Sequence, residues 1–181
     1  PRAALTSYRQ AEKLDGQEPR WPYFQALLLA GQGELQTALD ALDRSIRLDT
    51  TYVSARMWRG TWLIELGLVR QADEAFSEAK DLGLGWAATA GRARVLLHQD
   101  RSDEAIAILE PVSRESPFPS VFQLLGRAYR ESGRLDEARV WLARGKSAQR
   151  IGWHDDWQEA KRAYEVGVPP RLQQAQRLIL R

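Results

Sequence analysis

The stretch FQLLGRAYRESGRLDEARVWL at 122–142 decides the fold, because it sets Phe122, Leu125, Gly126 and Tyr129 in one helical register and follows them with Gly133, Ala138 and Leu142. Moving outward, its small and apolar positions recur upstream as columns: Ala26, Gly60, Ala93, Gly126; Gly33, Gly67, Asp100, Gly133; Ala38, Ala72, Ala105, Ala138; Leu42, Phe76, Leu109, Leu142; and Ser45, Ala79, Val112, Gly145. Every column steps by 34, 33 and 33 residues. A unit of that length is a pair of helices, and such pairs stack into a solenoid whose repeats contact only their neighbours.

The residue types follow from the geometry of a helical hairpin. Two antiparallel helices approach closely only where side chains are short, so Ala and Gly stand at the crossing on each helix. Gly33, Gly67 and Gly133 fall just past the first helix of each pair, where a left-handed residue ends the helix and glycine enters that conformation without penalty. Asp100 occupies the third such slot, and aspartate is among the few other residues that tolerate it. Leu42, Phe76, Leu109 and Leu142 are the knobs between one hairpin and the next.

Residues 122–142 closely resemble the tetratricopeptide repeat family, and the segments GELQTALDALDRSIRLDT at 33–50 and GLVRQADEAFSEAKDL at 67–82 resemble second helices of further copies. The implied fold is an all-α, right-handed superhelical solenoid of antiparallel helix pairs with a C-terminal helical extension. The columns divide the single domain 1–181 into a partial repeat at 1–16, repeats at 19–52, 53–85, 86–118 and 119–150, and an extension at 151–181. Ala4, Tyr8 and Ala11 stand 34 residues before Ala38, Leu42 and Ser45, so the chain is expected to begin in mid-repeat. Helices are predicted near 21–32, 35–48, 52–66, 69–81, 86–99, 102–115, 119–132 and 135–148. Pro111 should bend or shorten the sixth of these.

Beyond Ile151 the register is lost. A helix near 154–164 is predicted, then a break at Pro169 and Pro170 and a final amphipathic helix carrying Leu172, Ala175, Leu178 and Ile179 on one face. That helix either caps the solenoid or opens a further repeat. Trp153 and Trp157 are expected to pack onto the last hairpin. Apolar surface at either end would allow a homo-oligomer through the solenoid ends.

Composition narrows the functional classes. With 44% hydrophobic residues in 181 the chain can bury a substantial core. It has no cysteine, hence no disulfide framework and no thiolate chemistry. No apolar run reaches the roughly 20 residues that span a bilayer, so a soluble protein of bacterial cytoplasm or periplasm is expected, the bacterial source being suggested by alanine, leucine and arginine usage. Residues 1–125 carry 14 Lys and Arg against 17 Asp and Glu, whereas 126–181 carry 12 against 7, which makes the C-terminal third the basic end. His98 and His154 are the sole histidines, and no HExxH, glycine-rich phosphate loop or GxSxG accompanies them. No enzymatic activity, cofactor or metal site is therefore expected. His154 with Asp155, Asp156 and Glu159 suggests a divalent cation site, but acidic residues at a helix start are explained more simply by the helix dipole.

The resemblance also implies that the first helix of each pair lines an inner groove. The candidate groove residues are Tyr23, Phe24 and Leu27 in the first full copy, Met57, Trp58, Thr61 and Glu65 in the second, Arg94 and His98 in the third, and Gln123, Arg127 and Arg130 in the fourth. Tyr23, Phe24 and Trp58 would supply apolar contacts, and Arg94, Arg127 and Arg130 carboxylate contacts. The expected function is a noncatalytic scaffold that binds a partner protein or peptide bearing an apolar anchor and acidic residues. The competing structural explanation is that Phe24, Trp58 and Trp62 pack between hairpins and the arginines are solvated. Lysine and asparagine, with which chaperone-binding members of the family grip a terminal carboxylate, are replaced here by Tyr23, Leu27 and Thr61, so a heat-shock chaperone tail is not expected. The alternatives are a structural segment of a self-associating envelope or secretion assembly and an RNA-binding helical repeat; mixed charge on every helix argues against nucleic acid.

Overall fold

The computed structural model describes residues 2–115, 118–146 and 153–162, and among them the chain is all helical. The helices are α1 (Arg2–Leu14), α2 (Arg20–Ala30), α3 (Leu35–Leu48), α4 (Val53–Glu65), α5 (Val69–Asp81), α6 (Gly85–His98), α7 (Ser102–Glu115), α8 (Pro119–Glu131) and α9 (Leu135–Lys146). A further helical stretch, α10, covers 156–162. From α2 to α9, each is within about two residues of its sequence prediction. The predicted terminal helix with Leu172, Ala175, Leu178 and Ile179 lies outside the described residues.

Four hairpins, α2/α3, α4/α5, α6/α7 and α8/α9, stack in order, with α1 against α2. The first helices of successive hairpins also touch one another, α4 on α6 and α6 on α8, so they form the inner layer of the superhelix. Helix ends repeat one device. Gly33, Gly67, Asp100 and Gly133 all have positive φ, Asp100 at 58°. In each case the following amide donates to the carbonyl five residues back: Glu34 to Leu29, Leu68 to Leu63, Arg101 to Leu96 and Arg134 to Tyr129. This pattern satisfies carbonyls that the helix end would otherwise orphan. Asp100 thus performs the glycine's task at the third turn.

The hairpins join through side chains wedged into glycine gaps. Phe76 of α5 is fully buried, and its ring lies against two helices at once. A Cβ placed on Gly60 of α4 would come within 2.7 Å of that ring, and one on Gly91 of α6 within 2.4 Å. Within the fourth hairpin, Gly126 of α8 receives Leu142 of α9, at 2.7 Å. Gly91 is not one of the periodic small positions, and its repeat equivalents are Phe24, Trp58 and Leu124. The third repeat therefore lacks a large side chain where the others have one.

Pro111 does not end α7, which continues to Glu115. The ring costs the helix one amide donor, and the turn beyond it still forms.

A groove occupied by the chain itself

Trp153 and Trp157 do not rest on the last hairpin. Both pack against the core cluster that runs from α1 to α6, Trp157 on Tyr23 and Tyr52 and Trp153 on Trp58, with Trp153 also bordering a cavity that Leu124 of α8 lines. The physical reason is a set of hydrogen-bond donors gathered from α2, α4 and the turn before α4.

Asp155 is buried at 7% exposure and gathers that set. One carboxylate oxygen, Oδ1, accepts the Tyr52 hydroxyl at 2.7 Å and the Gln158 amide at 3.0 Å. Oδ2 accepts the Tyr23 hydroxyl, the Trp58 indole Nε1–H at 3.1 Å and the Gln158 side-chain amide at 2.7 Å. The bond to the Gln158 amide also makes Asp155 the N-cap of α10, a role that short acidic side chains fill well. Capping and docking are therefore one event. A buried carboxylate without partners would be costly, and here five donors replace its water.

Aromatic faces flank the carboxylate on both sides. The Trp157 ring stacks on Tyr52, centroids 3.5 Å apart and planes 9° from parallel. It also meets the Tyr23 ring edge-on at 5.1 Å. Trp153 meets Trp58 edge-on at 5.0 Å. Offset and edge-on pairs of this type add about 0.5–1.5 kcal/mol each beyond area burial. Backbone contacts complete the seat: the Ser54 hydroxyl donates to the His154 carbonyl at 3.2 Å, and the Trp157 amide donates to the Tyr52 hydroxyl oxygen at 3.1 Å.

The electrostatics favour an ionised carboxylate among neutral phenols. Burial opposes charge on Asp155, but the bonds from Tyr23, Gln158 and Tyr52 outweigh it, and the carboxyl sits below the ordinary aspartate range. Burial and the neighbouring Asp155 charge push the Tyr23 phenol far up, and burial likewise raises Tyr52. A carboxyl with a depressed native pKa contributes stability that is complete above its unfolded value, about 3.9, and is lost as pH falls through the native value. A phenol with a raised native pKa contributes stability that is complete below its unfolded value, about 10, and is lost as pH rises through the native one. The near-ultraviolet circular dichroism of the aromatic cluster should therefore be flat from about pH 5 to about pH 9 and fall on both sides. A midpoint near pH 6 to 7 would contradict the assignment.

The remaining candidates divide. Phe24 is 7% exposed and packs on Tyr8 of α1 as well as on Tyr23, so it belongs mainly to the core. Met57 and Thr61 line a cavity of about 150 Å³ together with Phe76, Trp86, Gly91, Arg94, Leu124 and Trp153. Gly91 and the Phe76 ring packed on it form part of the cavity wall. The half-buried Arg94 guanidinium makes no hydrogen bond or ion pair with any described residue. Burial holds its pKa below the usual arginine value, Glu65 opposes that shift and Arg127 adds to it. Arg127 is engaged with Glu131 at 2.7 Å. Arg130 and His98 are exposed at the ends of α8 and α6. Gln123 faces away from this surface, donating to the Gly145 carbonyl on α9 at 3.2 Å. The carboxylate that does enter the groove is held by two phenols and an indole at its N-terminal end, where the sequence had suggested arginines at the other.

His154, beside Asp155, points outward and pairs with Asp156 and Glu159 at the surface. Among the described residues no group of three His, Cys, Asp or Glu is placed to hold a metal ion, and no helix is long and apolar enough to cross a membrane.

Comparison with known proteins agrees with this architecture. Family models described as tetratricopeptide repeat match residues 1–53, 54–118 and 119–151. Solved structures with the same fold include MamA, at 22% identity and TM-score 0.67 over 88% of this chain and 90% of that one. A thermophilic tetratricopeptide repeat protein of Thermus thermophilus, TTC0263, aligns at 23% identity and TM-score 0.65, over 78% and 79%. PilW, described as a widely conserved type IV pilus biogenesis factor, aligns at 18% identity and TM-score 0.71, over 81% and 69%. No curated protein matches the sequence.

Proposed function

The chain belongs to the tetratricopeptide repeat family, and we propose that it is a noncatalytic protein-interaction scaffold that takes a partner segment along the inner face of its superhelix. Fold alone never supplies a function. The observation that carries the proposal is the cavity beside Arg94. It is walled by Met57, Trp86, Leu124 and Trp153, and a void of about that size admits one ring-sized apolar group. The guanidinium at its edge is partly stripped of water and lacks a partner carboxylate among the described residues. A segment with an apolar anchor and a neighbouring acid satisfies both, since arginine pairs bidentately with carboxylates and interface energy concentrates in such anchors.

The test is affinity capture from extract with the unaltered chain and with Arg94→Glu. Proteins retained by the first should be lost from the second, with an affinity change of about 30-fold or more, the scale of a removed interface hot spot. Arg94 is not part of the packed core, so thermal unfolding should hardly change. Identical retained sets with both baits would refute this surface as the binding site.

A further inference from the structure

Residues 153–162 behave as a bound ligand rather than as a piece of the solenoid. The repeat columns close each hairpin without them, and the segment lies outside the register. Its contacts run to Tyr23, Tyr52, Ser54 and Trp58, residues 97 to 132 positions away. Three side-chain donors from α2, the turn before α4 and α4 itself converge on a single acceptor. Such convergence, with aromatic faces set on both sides, is the anatomy of a recognition site.

We propose that the N-terminal half of the groove is a receptor site for a partner-protein segment carrying an acidic residue with aromatic residues two positions before and after it, and that Trp153, Asp155 and Trp157 hold the site as an intramolecular stand-in until such a segment displaces them. This rests on the reading of the inner face as a binding surface, and extends it to a second subsite with its own chemistry. The commitment to a partner segment follows from the occupant now seated there: carboxylate to Tyr23, Tyr52 and Trp58, one indole on Tyr52, the other on Trp58. A tethered ligand has an effective concentration on the order of millimolar, so a partner that merely copies these contacts competes poorly. One that also places a carboxylate on Arg94, at the cavity Trp153 borders, gains a contact that residues 153–162 do not make.

The test uses the full chain and a fluorescein-labelled peptide of residues 153–162. In the Asp155→Ala/Trp157→Ala chain the stand-in loses its anchor while every groove residue stays intact. Fluorescence anisotropy should show the peptide binding this chain at least 10-fold more tightly than the unaltered chain. Adding Trp58→Ala should remove that binding, as should Asp155→Ala in the peptide. If the double variant proves unfolded by circular dichroism, Asp155→Asn in the full chain replaces it, with a gain of at least 3-fold expected. Equal binding to opened and unaltered chains, or none to a folded opened chain, would overturn the proposal. So would a dimer of the unaltered chain in sedimentation at micromolar concentration that dissociates in the double variant, since the occupant would then be a second copy. The Arg94 result is distinguishable from this one, because the anchors tested here, Asp155 and Trp157, contact Tyr23, Tyr52 and Trp58 and not Arg94, although Trp153 borders the cavity.

Discussion

Asp155→Ala is expected to release residues 153–162 from the groove and to lower stability by about 3 kcal/mol, out of proportion to a substitution outside the repeats. Three donors, the hydroxyls of Tyr23 and Tyr52 and the indole N–H of Trp58, lose their common acceptor. A buried donor left without an acceptor costs about 1–3 kcal/mol. Water re-entering the opened groove keeps the sum near the lower bound. The cap of α10 disappears in the same step, so the segment loses the contact that orders its start. Urea unfolding followed by near-ultraviolet circular dichroism should show both the lost stability and the lost aromatic signal. Asp156→Ala is the control: that side chain is exposed and paired with His154 at the surface, and its effect should stay within about 0.5 kcal/mol. Equal effects at the two positions would mean that the buried carboxylate does not organise the segment.

Phe76→Ala should have the largest effect of any single truncation, about 3–5 kcal/mol. The ring is fully buried and fills glycine gaps on two helices, Gly60 in its own hairpin and Gly91 in the next. Both gaps exist to admit it, so neither contributes side-chain atoms that could collapse into the void. Solenoid stability is the sum of repeat terms and nearest-neighbour interface terms. Removing the wedge at the second interface should therefore also divide the unfolding transition, with the hairpins before and after α5 melting separately. Calorimetry should show two transitions in the variant and one in the unaltered chain. A single transition shifted by less than about 1 kcal/mol would contradict the wedge.

What the sequence revealed and what it hid have separate physical origins. The hairpins were legible because their constraints are local and repeat: a small residue at each crossing, a left-handed residue past each first helix, a large apolar knob. Even Asp100 was legible, since its column demanded positive φ and its chemistry allows it. Gly91 was not, because its constraint comes from Phe76 of the preceding hairpin and occurs once. The signal was available as a gap in the column Phe24, Trp58, Gly91, Leu124, where large side chains are interrupted. Tyr23 and Trp58 were expected to offer apolar contacts, and the structure sets the Tyr23 hydroxyl and the Trp58 indole on Asp155, whereas Gln123, the repeat equivalent of Tyr23, turns to α9. Trp153 and Trp157 were expected on the last hairpin, the one next to them in sequence. Hydrogen bonding overrode proximity, since Asp155 needed donors that Tyr23, Tyr52 and Trp58 provide together. A carboxylate and an apolar anchor were expected of a partner, and the carboxylate and indoles described in the groove belong to this chain's own segment.

Hydrogen exchange read by mass spectrometry on the unaltered chain and on Asp155→Ala tests most directly that the groove is filled from within. The Trp157 and Gln158 amides are bonded to Tyr52 and Asp155, so peptides covering 153–162 should be protected in the unaltered chain. In the variant they should exchange within the first seconds, with protection of 20–30 and 52–62 falling alongside. Full exchange of 153–162 at the earliest time point in the unaltered chain would contradict the docked segment and everything drawn from it.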